Sequence, residues 1–167
     1  MDRVDQIVQQ WRAERPDLDV EPLQVVSRIL LLSRRLIDEA DLALAPLGLT
    51  LWQFDVLAAL RRAGAPYRLS PTGLARSLTL SSAAMTHRLD RVEAQGWIRR
   101  TSHPNDRRAV QIELTEAGLA LIDQAVAVRI TEARRGLESL SLEDQRALAA
   151  GLRRLMSADG TRHATPP

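Results

Sequence analysis

The sequence predicts a mainly α chain with one small β-hairpin. Three observations carry this. Apolar residues recur at helical spacing through most of the 167 residues. Aromatics are only 3% of a chain that is 45% hydrophobic, so the core must be Leu, Val, Ile and Ala, which favours helices. One run, Val110-Gln111-Ile112-Glu113-Leu114, alternates like a half-buried strand, and it follows the turn chemistry of His103-Pro104-Asn105-Asp106.

The elements follow in order. Val4, Ile7, Val8 and Trp11 place a short amphipathic helix at 3–14 that needs a partner surface, because so few turns are marginal alone. Arg15-Pro16-Asp17-Leu18-Asp19 breaks it, and Glu21-Pro22 starts a long apolar helix reaching about Ala45. Pro46-Leu47-Gly48 stops that helix. Thr50 to Gln53 reads as a capping box for the next, which runs through Val56, Leu57 and Leu60 to Arg62. Tyr67-Arg68-Leu69 is a candidate short strand. Ser70-Pro71 opens a small helix carrying Leu74, Ala75 and Leu78, and Ser81 or Ser82 caps a second at about 82–95 that Gly96 ends. Trp97-Ile98-Arg99-Arg100 begins an extended run. After Leu114, Thr115 caps a helix with Leu119, Ile122, Val126, Ala133 and Leu137 in its stripe. Ser141 caps a last helix, with Leu148, Leu152 and Leu155 following. Residues 158–167 are expected to be a disordered tail.

The helix at 82–95 has two sides. Met85, Leu89 and Val92 form one apolar stripe. The other side carries Ser82, Ala83, Thr86, His87, Asp90 and Arg91, with Arg88 on the flank. Small residues allow close approach, and Thr, His and Arg reach base edges, so this side suits a DNA major groove. Short helix, brief link through Thr79 and Leu80, second helix, then a basic-tipped hairpin is the layout of a winged helix-turn-helix. Charge agrees. Between Arg68 and Arg108 there are eight arginines against three acids, a surplus of five in a chain of net charge +2. Positive charge gathered on one segment of a nearly balanced chain is a footprint for phosphate.

The segment Pro104 to Gly118, PNDRRAVQIELTEAG, resembles the wing and following helix start of the MarR family of bacterial transcription regulators. Pro104, Asp106, Arg107, Arg108, Leu114, Thr115 and Gly118 match that pattern; His103 stands where the family usually has aspartate. Met85 to Glu93 resembles the family's recognition helix. The resemblance implies a homodimer binding double-stranded DNA at a pseudo-palindromic operator, with half-sites about one helical turn apart. Helices at 1–47 and 115–157 would make the dimer and 48–114 the DNA-binding domain. Candidate DNA-binding residues are Ser82, Ala83, Thr86, His87, Arg88, Arg91, Arg99, Arg107 and Arg108, with Arg100 as a further phosphate contact. Asp106 would fix the hairpin. A repressor relieved by a small ligand is the implied mode of action.

The extra N-terminal helix with Trp11 is similar to the branch of the family that includes urate-responsive members. That likeness nominates Trp11, Arg15 and Asp55 for a small aromatic or anionic effector: a stacking face, an anion partner and an acceptor for ring nitrogens. Each also has a plain structural reading, as core, solvated cation and helix-start carboxylate. The sequence points away from an enzyme. Its three histidines, 87, 103 and 163, form no catalytic or metal spacing, and no HExxH, GxSxG or GxxxxGK[ST] occurs. With no cysteine there is neither disulfide nor thiol chemistry. No metal or cofactor is expected. No apolar run approaches about 20 residues and no secretory leader opens the chain, so a cytoplasmic protein without membrane contact is expected. A winged domain serving only as a protein-interaction module is the alternative; it predicts no salt-dependent DNA affinity.

Overall fold

The computed structural model of the chain describes residues 1–103 and 106–158, with side chains other than those of 103, 106–108 and 158. Seven helices and three strands occupy these residues: α1 (Arg3–Glu14), α2 (Pro22–Leu44), α3 (Leu51–Arg62), β1 (Arg68–Leu69), α4 (Pro71–Ser77), α5 (Ser82–Ala94), β2 (Ile98–His103), β3 (Asp106–Leu114), α6 (Glu116–Gly136) and α7 (Leu142–Ala158). By internal packing the chain forms two units that divide between Arg129 and Ile130, within α6.

In the first unit, Asp2 starts α1. Its carboxylate accepts from the N–H of Val4 (2.8 Å) and of Asp5 (3.0 Å), while Asp5 accepts from the Asp2 N–H at 2.7 Å. This reciprocal pair satisfies donors that the first turn leaves open. Val4, Val8 and Val20 then bury a small cluster against Leu23, and Arg28 of α2 reaches back to Asp2 and Asp5 at 2.9 and 2.6 Å. The partner surface that α1 needs is thus the start of α2. A 3-10 turn at Ala45–Leu47 and left-handed Gly48 end α2, as Pro46-Leu47-Gly48 predicts. Thr50 and Gln53 form the expected capping box of α3.

The main core gathers Val56, Leu57 and Leu60 of α3, Leu74 of α4, Met85, Leu89 and Val92 of α5, Ile98 and Ile112 of the sheet, and Ile122 and Ala125 of α6. Each expected apolar stripe around the winged domain contributes. The sheet is antiparallel in the order β1-β3-β2. β3 begins at Asp106, four residues before the alternating run, where Asp106 pairs with His103 of β2 across a register shift.

Thr115 and Gly118 fix the start of α6. The Thr115 hydroxyl donates to the Gly96 carbonyl (2.8 Å) and accepts from the Gly118 N–H (3.0 Å), while the Thr115 N–H donates to the Trp97 carbonyl (3.1 Å). A Cβ on Gly118 would stand 1.9 Å from the Trp97 carbonyl oxygen, so only glycine fits there.

α2 leaves most of its apolar residues uncovered within the unit. Val25, Val26, Leu30, Leu32 and Ile37 are each about half exposed, whereas Ala40 and Leu44 near its end are fully buried. Among the described residues, no single helix is long and apolar enough to cross a membrane.

The second unit holds the end of α6 and α7. Ser141 caps α7 as expected, accepting from the Asp144 N–H at 3.1 Å. Leu148, Leu152 and Leu155 are exposed along it, and the expected tail beyond residue 158 lies outside the described residues.

Candidate nucleic-acid interface

α4 and α5 make the helix-turn-helix. Ser70 caps α4 by accepting from the Gly73 N–H at 3.0 Å, and Ser81 caps α5 by accepting from the Ala84 N–H at 3.3 Å. The link turns at Thr79, whose φ of 53° is left-handed, and the Leu80 N–H closes onto the Ala75 carbonyl at 2.9 Å. With Met85, Leu89 and Val92 buried, Ser82, Ala83, Thr86 and His87 stand exposed on the opposite side of α5. The Thr86 hydroxyl donates to the Ser82 carbonyl at 3.0 Å, so it presents its lone pairs and methyl outward.

Five of the arginines from Arg68 to Arg108 divide into two groups. Arg68, Arg99 and Arg100 are spent on carboxylates. Glu113 of the central strand sits opposite Arg68 on one side and Arg99 on the other, and it is only 8% exposed. Arg68 donates to Glu113 at 3.2 Å and Arg99 at 3.1 Å. Burial alone would raise the Glu113 carboxyl; hydrogen bonds from Arg99 and Arg68 outweigh it and hold the group below the ordinary glutamate range. Arg100 donates to Asp90 at 2.6 Å and also pairs with Glu93, while its backbone N–H donates to Glu93 at 3.0 Å. The acids on the flank of α5 are thereby tied to the foot of the wing. Arg99 and Arg100, expected at phosphates, are engaged in the sheet and at the α5 junction.

Arg88 and Arg91 are the second group. Neither is ion-paired among the described residues. Their guanidinium carbons lie 5.5 and 5.1 Å from the centre of the Trp52 ring. Sequence reasoning missed Trp52. It stands four residues before Val56 and eight before Leu60, on the α3 stripe, and so reads as core; its place at the outer end of that stripe was the available signal. Asp106, Arg107 and Arg108 of the wing lie outside the described side chains.

The three residues nominated for an effector do not share one recess. Trp11, 48% exposed, lines an open apolar recess of about 300 Å³ with Leu18, Asp19, Val20, Pro22 and Leu23. Arg15 turns to Asp17, with bonds of 2.7 and 2.6 Å, and Asp55 is elsewhere, partly buried one turn into α3. Burial raises the Asp55 carboxyl, and Arg129, Arg62 and Arg88 offset only part of that rise. Among the described residues no cluster of His, Cys, Asp or Glu could hold a metal ion.

The sequence model of the MarR family matches residues 47–109, the span from the 3-10 turn after α2 into the wing. The transcriptional regulator PecS of Dickeya dadantii is 44% identical over 155 residues, 91% of this chain and 92% of its own. The chain belongs to the MarR family. The multiple antibiotic resistance protein MarR of Salmonella typhimurium is 41% identical over 81 residues, 48% of this chain and 54% of its own. Among solved structures, a MarR mutant from Escherichia coli complexed with operator DNA is similar with a TM-score of 0.74. It is 26% identical, and the match covers 83% of this chain and 99% of that one. As a MarR-family member with this winged fold, the chain is a DNA-binding transcription regulator.

Proposed function

We propose that the chain acts as a homodimer that reads a pseudo-palindromic operator and represses transcription until a small aromatic or anionic effector releases it. The observation that carries this is the exposed outer side of α5. Ser82, Ala83, Thr86 and His87 are held there on a well-packed helix, beside two arginines that form no ion pair among the described residues. Residues 48–114 form the reading domain. The helices at 1–47 and 115–157 supply the dimer contacts, and the half-exposed apolar side of α2 supports that division, since a surface of this kind marks an association site. Arg107 and Arg108 at the wing reach the adjacent minor groove or backbone. The effector arm rests on Trp11, whose open recess offers a stacking face.

Selection of genomic DNA by the purified protein, then footprinting at two salt concentrations, tests the reading. A protected pseudo-palindrome with two half-sites about one turn apart, weakening steeply with salt, is expected. Thr86→Ala or His87→Ala should cost about 1–3 kcal/mol at the operator and relax specificity. Equal loss on operator and random DNA would show that α5 reads no bases. Titration of the operator complex with urate, followed by anisotropy, checks the effector.

A further inference from the structure

We propose that Trp52 is a positioning residue for DNA binding: its indole holds Arg88 and Arg91 as a preorganised pair with their donor edges free for phosphate or guanine. The inference rests on the DNA-binding reading and deepens it, since Trp52 lies on α3, outside the helix-turn-helix.

The chemistry of the contact carries the argument. A carboxylate engages the N–H edge of a guanidinium, the same edge that phosphate and guanine need. An aromatic face attracts the cation without taking a donor. Arg68, Arg99 and Arg100 have given their edges to Glu113, Asp90 and Glu93. Arg61 has likewise given its Nε–H to Asp123 at 2.7 Å. Arg88 and Arg91 are three residues apart on the flank of α5, and both lie over one ring.

Two like charges side by side repel, and long arginine side chains lose rotamer freedom when a ligand fixes them. The indole offsets both costs before DNA arrives, because it attracts each cation and restricts where each can go. Trp52 is itself restrained. It is partly buried and packs against the main core through α3, whose start is fixed by the Thr50 and Gln53 capping box. The ring is therefore a fixed platform for side chains on a neighbouring helix.

The test compares wild type, Trp52→Leu, Trp52→Phe, Arg88→Gln/Arg91→Gln and the triple variant. Each is measured by anisotropy on a random-sequence duplex of about 30 base pairs, long enough for two half-sites, across a salt series. Thermal melts are recorded alongside. Wild type is expected to show a steep salt slope. The double arginine variant should lose about two phosphate contacts of that slope, roughly 0.9 each. Trp52→Leu should weaken binding several-fold, Trp52→Phe should recover part of the loss, and Trp52→Leu should have no further effect once both arginines are gone. The melts separate this from folding, because Trp52→Phe keeps a packed ring.

Equal weakening by Trp52→Leu with and without the arginines would overturn the proposal. So would unchanged binding in Trp52→Leu, or binding by Trp52→Phe no better than by Trp52→Leu when both melt as wild type. If wild type shows no salt-dependent binding, the DNA-binding reading itself fails, an outcome separate from these.

Discussion

At the scale of single residues, the tightest constraint is Gly118. Its α-carbon lies where α6 meets the Trp97 carbonyl, and any Cβ collides with backbone that cannot yield. Gly118→Ala should destabilise the fold by about 1–3 kcal/mol, the usual cost of overpacking, read by urea denaturation. Asp55 makes a second case. Burial raises its carboxyl, so the unfolded chain ionises first as pH climbs from the ordinary value of about 3.9. Stability is then lost as pH rises from that value through the raised folded one. Asp55→Asn should therefore melt higher than wild type at pH 7, and the difference should shrink as pH falls toward 4. Paired melts across that range check the sign; a gap that widens on acidification would contradict it. The Thr115 and Gly118 pattern was legible as a motif, and the structure supplies its reason in three hydrogen bonds and one close approach. Asp55 was less legible. Its place near a helix start suggested dipole stabilisation, but it lies one turn in, where desolvation dominates.

At the scale of elements, helices were easy to read and partners were not. Capping residues and apolar stripes located α3, α4 and α5 because both signals are local: Ser70 and Ser81 each bond three residues ahead, and Met85, Leu89 and Val92 share a side. Which arginine faces a carboxylate depends on strand register and helix crossing, and these are not local. Glu113 meets Arg99 from fourteen residues away and Arg68 from forty-five. Part of the segment's charge surplus is thus paired within the chain itself. Arg100→Ala should leave the salt slope of DNA binding nearly unchanged, because its guanidinium is already paired at Asp90 and Glu93. A slope shallower by about one would show that Arg100 leaves its acids for phosphate.

At the scale of the whole molecule, the apolar side of α2 stays about half exposed in the single chain. If a second copy covers that side, a charge placed on it should split the pair. Leu30→Glu, at a position 58% exposed in the single chain, should sediment as monomer at micromolar concentration while melting cooperatively. DNA affinity should then fall by far more than the salt slope accounts for, since one half-site contact replaces two. A Leu30→Glu protein that stays dimeric would move the interface off this side of α2.

The joint formed by Thr115, Gly96, Trp97 and Gly118 has a mechanical consequence. The link from α5 to the first strand of the wing is bonded through the Gly96 and Trp97 carbonyls to Thr115 at the start of α6, and Gly118 closes on the same Trp97 carbonyl. These elements must swing as one body. A dimer adjusting to operators of different spacing has to find its compliance elsewhere, and stiffening this joint further should leave its tolerance for spacing untouched.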